Sequence, residues 1–468
     1  MSIFRTKSID LLKEEASIRS LRKSLTAIDI VMLGIGVIIG TGIFVLTGVA
    51  AAKYAGPGLM LSFVLAGITV AFVCLAYSEL AAMIPIAGSA YTYTYTALGE
   101  FVAWLVGWNL ILEYSVGASA VAGGWSAYTV GLLKSAGIEV PKALTTVPAD
   151  GGLVNLPAVL ITLFLTFLLV KGVKESANVN RLLVAVKLAA IFLFLFLAGP
   201  KVNVANWEPF LPYGWAGVSA GAAVIFFAYL GVDSIATAAE ETCNPSRNMP
   251  FGIIGSLAVC TVLYIAVSAV MTGVVPYSQL DTAEPVSFVL RQIGYNFGSA
   301  LVGTGAIAGL TTVLMVMMYA QTRAFFAMSR DGLIPAAICK VHPKYGTPHI
   351  ITLIVGLGVA LISGVTPIHL VAEMCSAGTL FAFIAAMIGV MVLRKTKPDV
   401  QRPFRCPALS VVATVAILFC FYIMYNLQTG TWIRFVVWSI IGIAVYFWYG
   451  RSHSKLNAVS QPNNSNTL

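Results

Sequence analysis

The chain has 468 residues, of which 59% are hydrophobic and only 10% charged, with a net charge of +9. A soluble domain carries about 25% charged residues, so the composition excludes an ordinary soluble protein and reads as a polytopic membrane protein. The positive balance is not a nucleic-acid signal, because the basic residues sit in short loops between apolar segments.

Residues 1–26 form a charged lead-in with six basic residues. It lacks the short apolar core and small-residue cleavage site of a signal peptide, so the first span is expected to serve as the insertion signal. Apolar segments follow at about 27–50, 57–83, 98–130, 156–171, 179–198, 215–240, 252–276, 298–328, 349–364, 368–393, 407–427 and 431–449, and the tail 451–468 is polar. A helix needs about 20 apolar residues to cross a bilayer, so these segments predict twelve spans. With the first 26 residues inside, 21 of the 28 basic residues fall on the inner side, six on the outer side, and Lys187 lies inside a span. That asymmetry places both termini in the cytoplasm.

The first segment carries Gly34-Ile35-Gly36-Val37-Ile38-Ile39-Gly40-Thr41-Gly42-Ile43-Phe44. Glycine costs about 1 kcal/mol relative to Ala inside a helix. Open backbone at membrane depth is tolerated only where protein or a cavity surrounds it. The sixth segment repeats the anomaly at Phe226-Phe227-Ala228-Tyr229-Leu230-Gly231-Val232-Asp233-Ser234. The first and sixth spans occupy corresponding places in two five-span halves, which must run in opposite directions. Paired interrupted helices in inverted repeats mark a secondary transporter with its site at the midplane. Spans eleven and twelve are additions at the periphery. The plainer alternative is that these glycines serve close helix packing.

The polarity of the breaks suggests a ligand. The outer half of span one begins near Thr41, Gly42 and Ile43 with free amides and a positive dipole end, which suits a carboxylate. The inner half ends near Ile38, and the outer half of span six ends near Phe227 and Ala228, both with carbonyls that suit an ammonium group. A carboxylate and an ammonium on adjacent atoms describe an α-amino acid.

These residues resemble a known family. Gly36-Val37-Ile38-Ile39-Gly40-Thr41-Gly42-Ile43-Phe44 resembles the first-helix signature of the amino acid–polyamine–organocation superfamily. Phe226-Phe227-Ala228-Tyr229-Leu230-Gly231, with Glu240-Glu241 and Asn244-Pro245, resembles its sixth-helix signature. Met328-Ser329-Arg330-Asp331-Gly332 and Arg402-Pro403-Phe404-Arg405 match further, and Trp108-Asn109-Leu110-Ile111-Leu112-Glu113-Tyr114 is similar to the cationic amino acid transporter branch and its bacterial relatives. The resemblance implies the leucine-transporter fold and alternating access. It implies that Ile38, Thr41, Gly42 and Ile43 hold the substrate backbone, joined by Phe227, Ala228 and Leu230. Relatives usually have Phe-Asp after the sixth-helix glycine; Val232-Asp233 here leaves side-chain selectivity open.

Charges inside spans are candidates for function. Lys187 lies about six residues from the inner end of span five, and in resembling proton-coupled permeases a fifth-helix lysine takes the place of a sodium ion. Lys187 is therefore the expected proton-coupling residue; the alternative is snorkelling to the inner surface. Glu113, mid-span three, can counter a cationic substrate, pair with Lys187, carry a proton, or serve structure as a protonated acid. Asp233 can cap the half-helix after the second break. Asp29, Glu79, Glu240 and Glu241 lie at inner ends and read as gate or interface salt-bridge residues. Among Met315, Met317 and Met318, Met317 is the expected pocket-lining residue.

Seven scattered cysteines, four of them (Cys74, Cys260, Cys375, Cys420) in apolar segments, read as small buried hydrophobes. His342, His349, His369 and His453 form no ligand cluster. The sequence therefore predicts no metal, no cofactor and no enzyme. It predicts a monomeric, plasma-membrane permease for amino acids and protons, with residues 27–400 as a ten-helix core and 401–450 as helices 11 and 12. An exchanger of the same fold without proton coupling is the alternative, and the side chain of the substrate stays open among basic, small neutral and branched-chain types.

Overall fold

The computed structural model describes residues 5–8, 25–84, 89–172, 177–235, 238 and 242–456. The described residues are helices joined by turns and loops, and an isolated bridge between Leu25 and Thr242 is their only β pairing.

The first apolar segment is built in two pieces. Helix α1 (Ala27–Ile38) starts at a reciprocal cap: Thr26 accepts from the Asp29 amide, and Asp29 accepts from the Thr26 amide. After two non-helical residues the chain resumes as a π-helical turn at Gly42–Leu46, an α turn at Thr47–Ala50 and a second π turn at Ala51–Ala55. Gly56, at φ +58°, turns the chain into α2 (Leu59–Met83). There follow α3 (Glu100–Ser135), α4 (Leu156–Val170), α5 (Ala177–Ala198) and α6 (Gly214–Ile225). Helices α7 (Pro245–Val274), α8 (Asn296–Arg330), α9 (His349–Val365), α10 (Ile368–Thr396), α11 (Leu409–Tyr425) and α12 (Thr429–Val445) complete the order. Among the described residues, seven helical stretches suffice by length and composition to cross a membrane, and five shorter apolar helices accompany them. The chain is an all-α polytopic membrane protein.

Helix α3 packs most extensively against α8 on one side and α10 on another, while α7 lies against α1 and α2, and α5 against α8 and α1. Small residues permit these approaches. A methyl group at Gly34 of α1 would overlap Ser256 of α7, and one at Gly305 of α8 would stand 2.7 Å from Ala190 of α5. Large apolar side chains that face outward, such as Phe164, Phe196, Leu361, Leu418 and Trp448, lie on α4, α5, α9, α11 and the turn after α12. Such an apolar girdle suits hydrocarbon contact rather than water.

Both ends of the described chain meet on one face. Lys7 pairs with Asp331 at 3.0 Å, the Glu100 amide donates to the Arg5 carbonyl, and the Lys455 amide donates to the Asp331 carbonyl. On the same face Glu79 accepts from Arg394 and lies 3.4 Å from the Arg402 Nε, and Asp29 pairs with Arg181 at 2.5 Å. Asp29 and Glu79 are thus interface salt-bridge residues, as their positions at helix ends suggested. Arg402 also donates to the carbonyls of Leu393 and Lys397, so the Arg-Pro-Phe-Arg stretch caps the end of α10. Glu240 and Glu241, the Asp233 side chain, most of the N-terminal lead-in and the tail from 457 lie outside the described residues.

Candidate site at two facing helix breaks

The first break is where the glycines placed it. Helix α1 ends at Ile38, and Ile39 is extended (φ −74°, ψ 102°). Helical geometry resumes at Thr41. The second break follows α6. A 3-10 turn at Phe226–Tyr229 ends at Leu230 (φ −56°, ψ 143°), and Gly231 takes φ +92°, a left-handed conformation that favours glycine. The two breaks touch: a methyl group at Gly42 would overlap the Ala228 Cα and Cβ.

The structure gathers Ile38, Thr41, Gly42, Ile43, Phe227, Ala228 and Leu230 into this crossing, and all are buried. The Thr41 hydroxyl is buried and has no hydrogen-bond partner among the described residues. The first amides of a helix have no intrahelical acceptor, so Thr41, Gly42 and Ile43 present donors next to that hydroxyl. The Phe227 carbonyl accepts from the Leu230 amide at 3.1 Å, whereas the Ile38 and Ala228 carbonyls meet a side chain from another helix.

Those two carbonyls share one donor. Tyr264, fully buried on α7, lies 2.7 Å from the Ile38 oxygen and 2.9 Å from the Ala228 oxygen through its hydroxyl. A phenol has one proton, so it satisfies one carbonyl at a time. Tyr264 escaped the sequence reading, although a hydroxyl in the middle of an apolar run needs a partner and is a legible signal.

Lys187 is fully buried on α5, and its Nζ donates to the Gly36 carbonyl at 2.6 Å. Its position therefore differs from the snorkelling alternative: the ammonium turns into the protein, onto the last turn of α1. Gly309 of α8 makes the space, since a methyl group there would stand 2.7 Å from the Lys187 Cγ and 2.8 Å from its Cε.

Glu113 and Gly117 lie one turn apart on the same face of α3. Glu113 is 1% exposed and packs on α10, where the Cys375 thiol donates to the Glu113 carbonyl at 3.3 Å and a methyl group at Gly378 would meet the Glu113 Cβ. Gly117 faces three apolar groups from three other elements. A methyl group on it would lie 2.8 Å from the Met317 Cε, 3.1 Å from the Cys375 sulfur and 3.2 Å from the Leu230 Cδ2. Met317 thus belongs to the same neighbourhood as the second break. Gly117 and Cys375 were missed, because their relevance appears only once α3, α8 and α10 meet.

On the side away from the termini, the second half of the first segment is pinned from several directions. Tyr128 of α3 donates to the Phe44 carbonyl at 2.6 Å, and Tyr213 donates to the Ala52 carbonyl at 2.9 Å. In the loop before α8, Arg291 donates to Glu284 at 2.6 Å. Burial pushes the Glu284 carboxyl above its ordinary value, and the Arg291 bond opposes that shift. Among the described residues no disulfide joins any of the seven cysteines, and no group of three potential ligands surrounds a metal position.

Comparison with known proteins gives the family of the chain. Residues 25–453 match the family model described as amino acid permease. The branched-chain amino acid permease BcaP of Bacillus subtilis is 48% identical over 97% of this chain and 99% of its own. The methylthioribose transporter of the same organism is 46% identical over the same shares of the two chains, 97% and 99%. The vacuolar cationic amino acid transporter 4 of Arabidopsis thaliana is 30% identical over 97% of this chain and 96% of its own. The chain belongs to the amino acid permease family.

Proposed function

We propose that this permease takes up α-amino acids across the plasma membrane by alternating access, driven by protons, with branched-chain side chains as its preferred class. The observation that carries the reading is the contact of the two helix breaks at Gly42 and Ala228, which brings amide donors and carbonyl acceptors to one place. In this reading the substrate carboxylate docks on the amides of Thr41, Gly42 and Ile43 and on the free Thr41 hydroxyl. Its ammonium takes the Ile38 or Ala228 carbonyl that the single Tyr264 proton leaves open, with the Phe227 backbone beside it.

The side chain points towards Gly117, Leu230, Met317 and Cys375, with Glu113 at the rim. That wall is apolar, which suits leucine, isoleucine and valine. The relative named for branched-chain amino acids supports this class. A hydroxyl-rich sugar such as methylthioribose would need polar partners that these four residues lack.

Lys187 is assigned the coupling role. A charged donor strengthens a hydrogen bond roughly twofold over a neutral one. Protonated Lys187 therefore holds the last turn of α1 through Gly36, and loss of its proton frees that half-helix to move. The same reading takes the twelve helices as twelve spans. It takes residues 27–400 as a ten-helix inverted-repeat core, 401–450 as peripheral helices, and 1–26 and 451–468 as cytoplasmic ends. The working unit is a monomer in the lipid bilayer.

A thermal-shift screen of the purified protein against the common amino acids tests the assignment. Stabilisation grows with ligand concentration over Kd, so leucine, isoleucine and valine should give the largest shifts. No shift with any amino acid would remove the reading.

A further inference from the structure

The site described above leaves one intramembrane acid unused. Glu373 sits in the second turn of α10 and is 1% exposed. Its Oε2 accepts from the Thr431 hydroxyl of α12 at 2.7 Å, while its Oε1 is buried without a hydrogen-bond partner among the described residues. The Tyr54 hydroxyl is its neighbour and accepts from Gln428 at 2.8 Å. Tyr54 belongs to the π turn Ala51–Ala55, the far end of the helix that begins at the first break. Glu373 therefore stands where that half-helix meets α10 and α12.

The other ionisable groups of this corner are few. Arg434 of α12 acts on Glu373 through space, His369 lies one turn earlier on α10, and Lys53, beside Tyr54, is engaged with Asp281 at 3.0 Å. The closed corner thus offers an ionised carboxylate two hydroxyls, those of Thr431 and the neighbouring Tyr54, with Arg434 at a distance, where water offers more donors. Burying a charge without such partners is costly, and an intramembrane acid marks function by default. A neutral acid has no such conflict, because its proton can be donated from Oε1 to the Tyr54 oxygen.

We propose that Glu373 is a positioning residue of the outer gate, whose carboxyl must be neutral before the segment 42–55 closes onto α10 and α12. The proton comes from the outer aqueous phase onto Oε1 and returns to that phase when the gate reopens. It is separate from the proton carried at Lys187. The inference rests on the transport reading and adds to it a residue that neither holds substrate nor couples it.

The test is leucine-for-leucine exchange by the full chain in proteoliposomes, with equal pH on both sides, scanned from about pH 5.5 to about pH 8.5. Exchange needs no net proton movement, so it separates gating from coupling. Wild-type exchange should fall towards alkaline pH. Glu373→Gln, permanently neutral, should keep its rate there, so that the ratio of variant to wild type rises at least several-fold across the scan. Glu373→Asp should retain the decline with a displaced midpoint. A constant ratio for Glu373→Gln would overturn the proposal, as would a folded but inactive Glu373→Gln beside an active Glu373→Asp. If Glu373→Gln does not fold, an unmoved midpoint in Glu373→Asp overturns it and a displaced one supports it. A wild-type protein that exchanges no leucine, isoleucine or valine overturns the transport reading and this inference together.

Discussion

The Lys187 ammonium donates to the Gly36 carbonyl at 2.6 Å, across 151 positions of sequence, and so ties the fifth helix to the last turn before the first break. A buried ammonium without such an acceptor would cost several kcal/mol. The pair therefore ties one ionisable side chain to the half-helix that ends at the first break.

Replacing Lys187 by Ala or Gln should abolish gradient-driven leucine uptake, at least tenfold, while leucine still raises the melting temperature. Gly309→Ala should give a weaker form of the same defect, because the new methyl group crowds the lysine stem. Uptake and thermal shift measured on the same preparations check this. Undiminished proton-driven uptake by Lys187→Ala would remove the coupling assignment.

Gly42→Ala places a methyl group on the Ala228 backbone. Overpacking of this kind costs about 1–3 kcal/mol, and here it also pushes the two breaks apart. The expected result is a folded protein with a lowered melting temperature and no leucine-induced shift. Ala228→Gly should rescue only part of the loss, since the Cα of residue 228 remains in the way. A normal leucine shift in Gly42→Ala would show that the crossing is not the substrate site.

Tyr264→Phe removes the one proton shared by the Ile38 and Ala228 carbonyls. Leaving a buried acceptor unsatisfied costs about 1–3 kcal/mol, so the ligand-free protein should melt earlier. An incoming ammonium then finds both carbonyls open instead of one, so the leucine-induced shift should grow. A shift that shrinks would mean that the hydroxyl assists the substrate instead of yielding to it.

Gly117→Ala should narrow the wall formed with Met317, Cys375 and Leu230, reducing uptake of leucine and isoleucine relative to alanine. One methylene in an apolar pocket is worth about 1–3 kcal/mol, so the ratio should move by about tenfold or more. Met317→Ala should move it the other way. Competition assays with unlabelled amino acids read both, and unchanged ratios would place the side-chain pocket elsewhere.

Both helix breaks were legible in the sequence because glycine at mid-span carries a local cost that only an open backbone or a close approach explains. Gly40 to Gly42 and Gly231 mark them within a residue or two. Lys187 was legible as a buried charge, but its acceptor was not, because the Gly36 carbonyl carries no side-chain signal. Gly117, Gly309 and Gly378 lie in helices whose local pattern accommodates them without comment. Their roles come from what α3, α5, α8 and α10 bring against them, and such approaches depend on tertiary packing. Glu373 was passed over for a related reason: it falls near a helix end, where an acid is ordinarily solvated, and only Tyr54 and α12 bury it.

The central claim is proton-driven amino acid uptake, and its most direct measurement is radiolabelled leucine accumulation in proteoliposomes under an imposed inward proton gradient. Leucine should accumulate above the external concentration, and the accumulation should collapse when a protonophore is added. Accumulation that ignores the protonophore but requires amino acid inside the vesicles would contradict it and establish an exchanger.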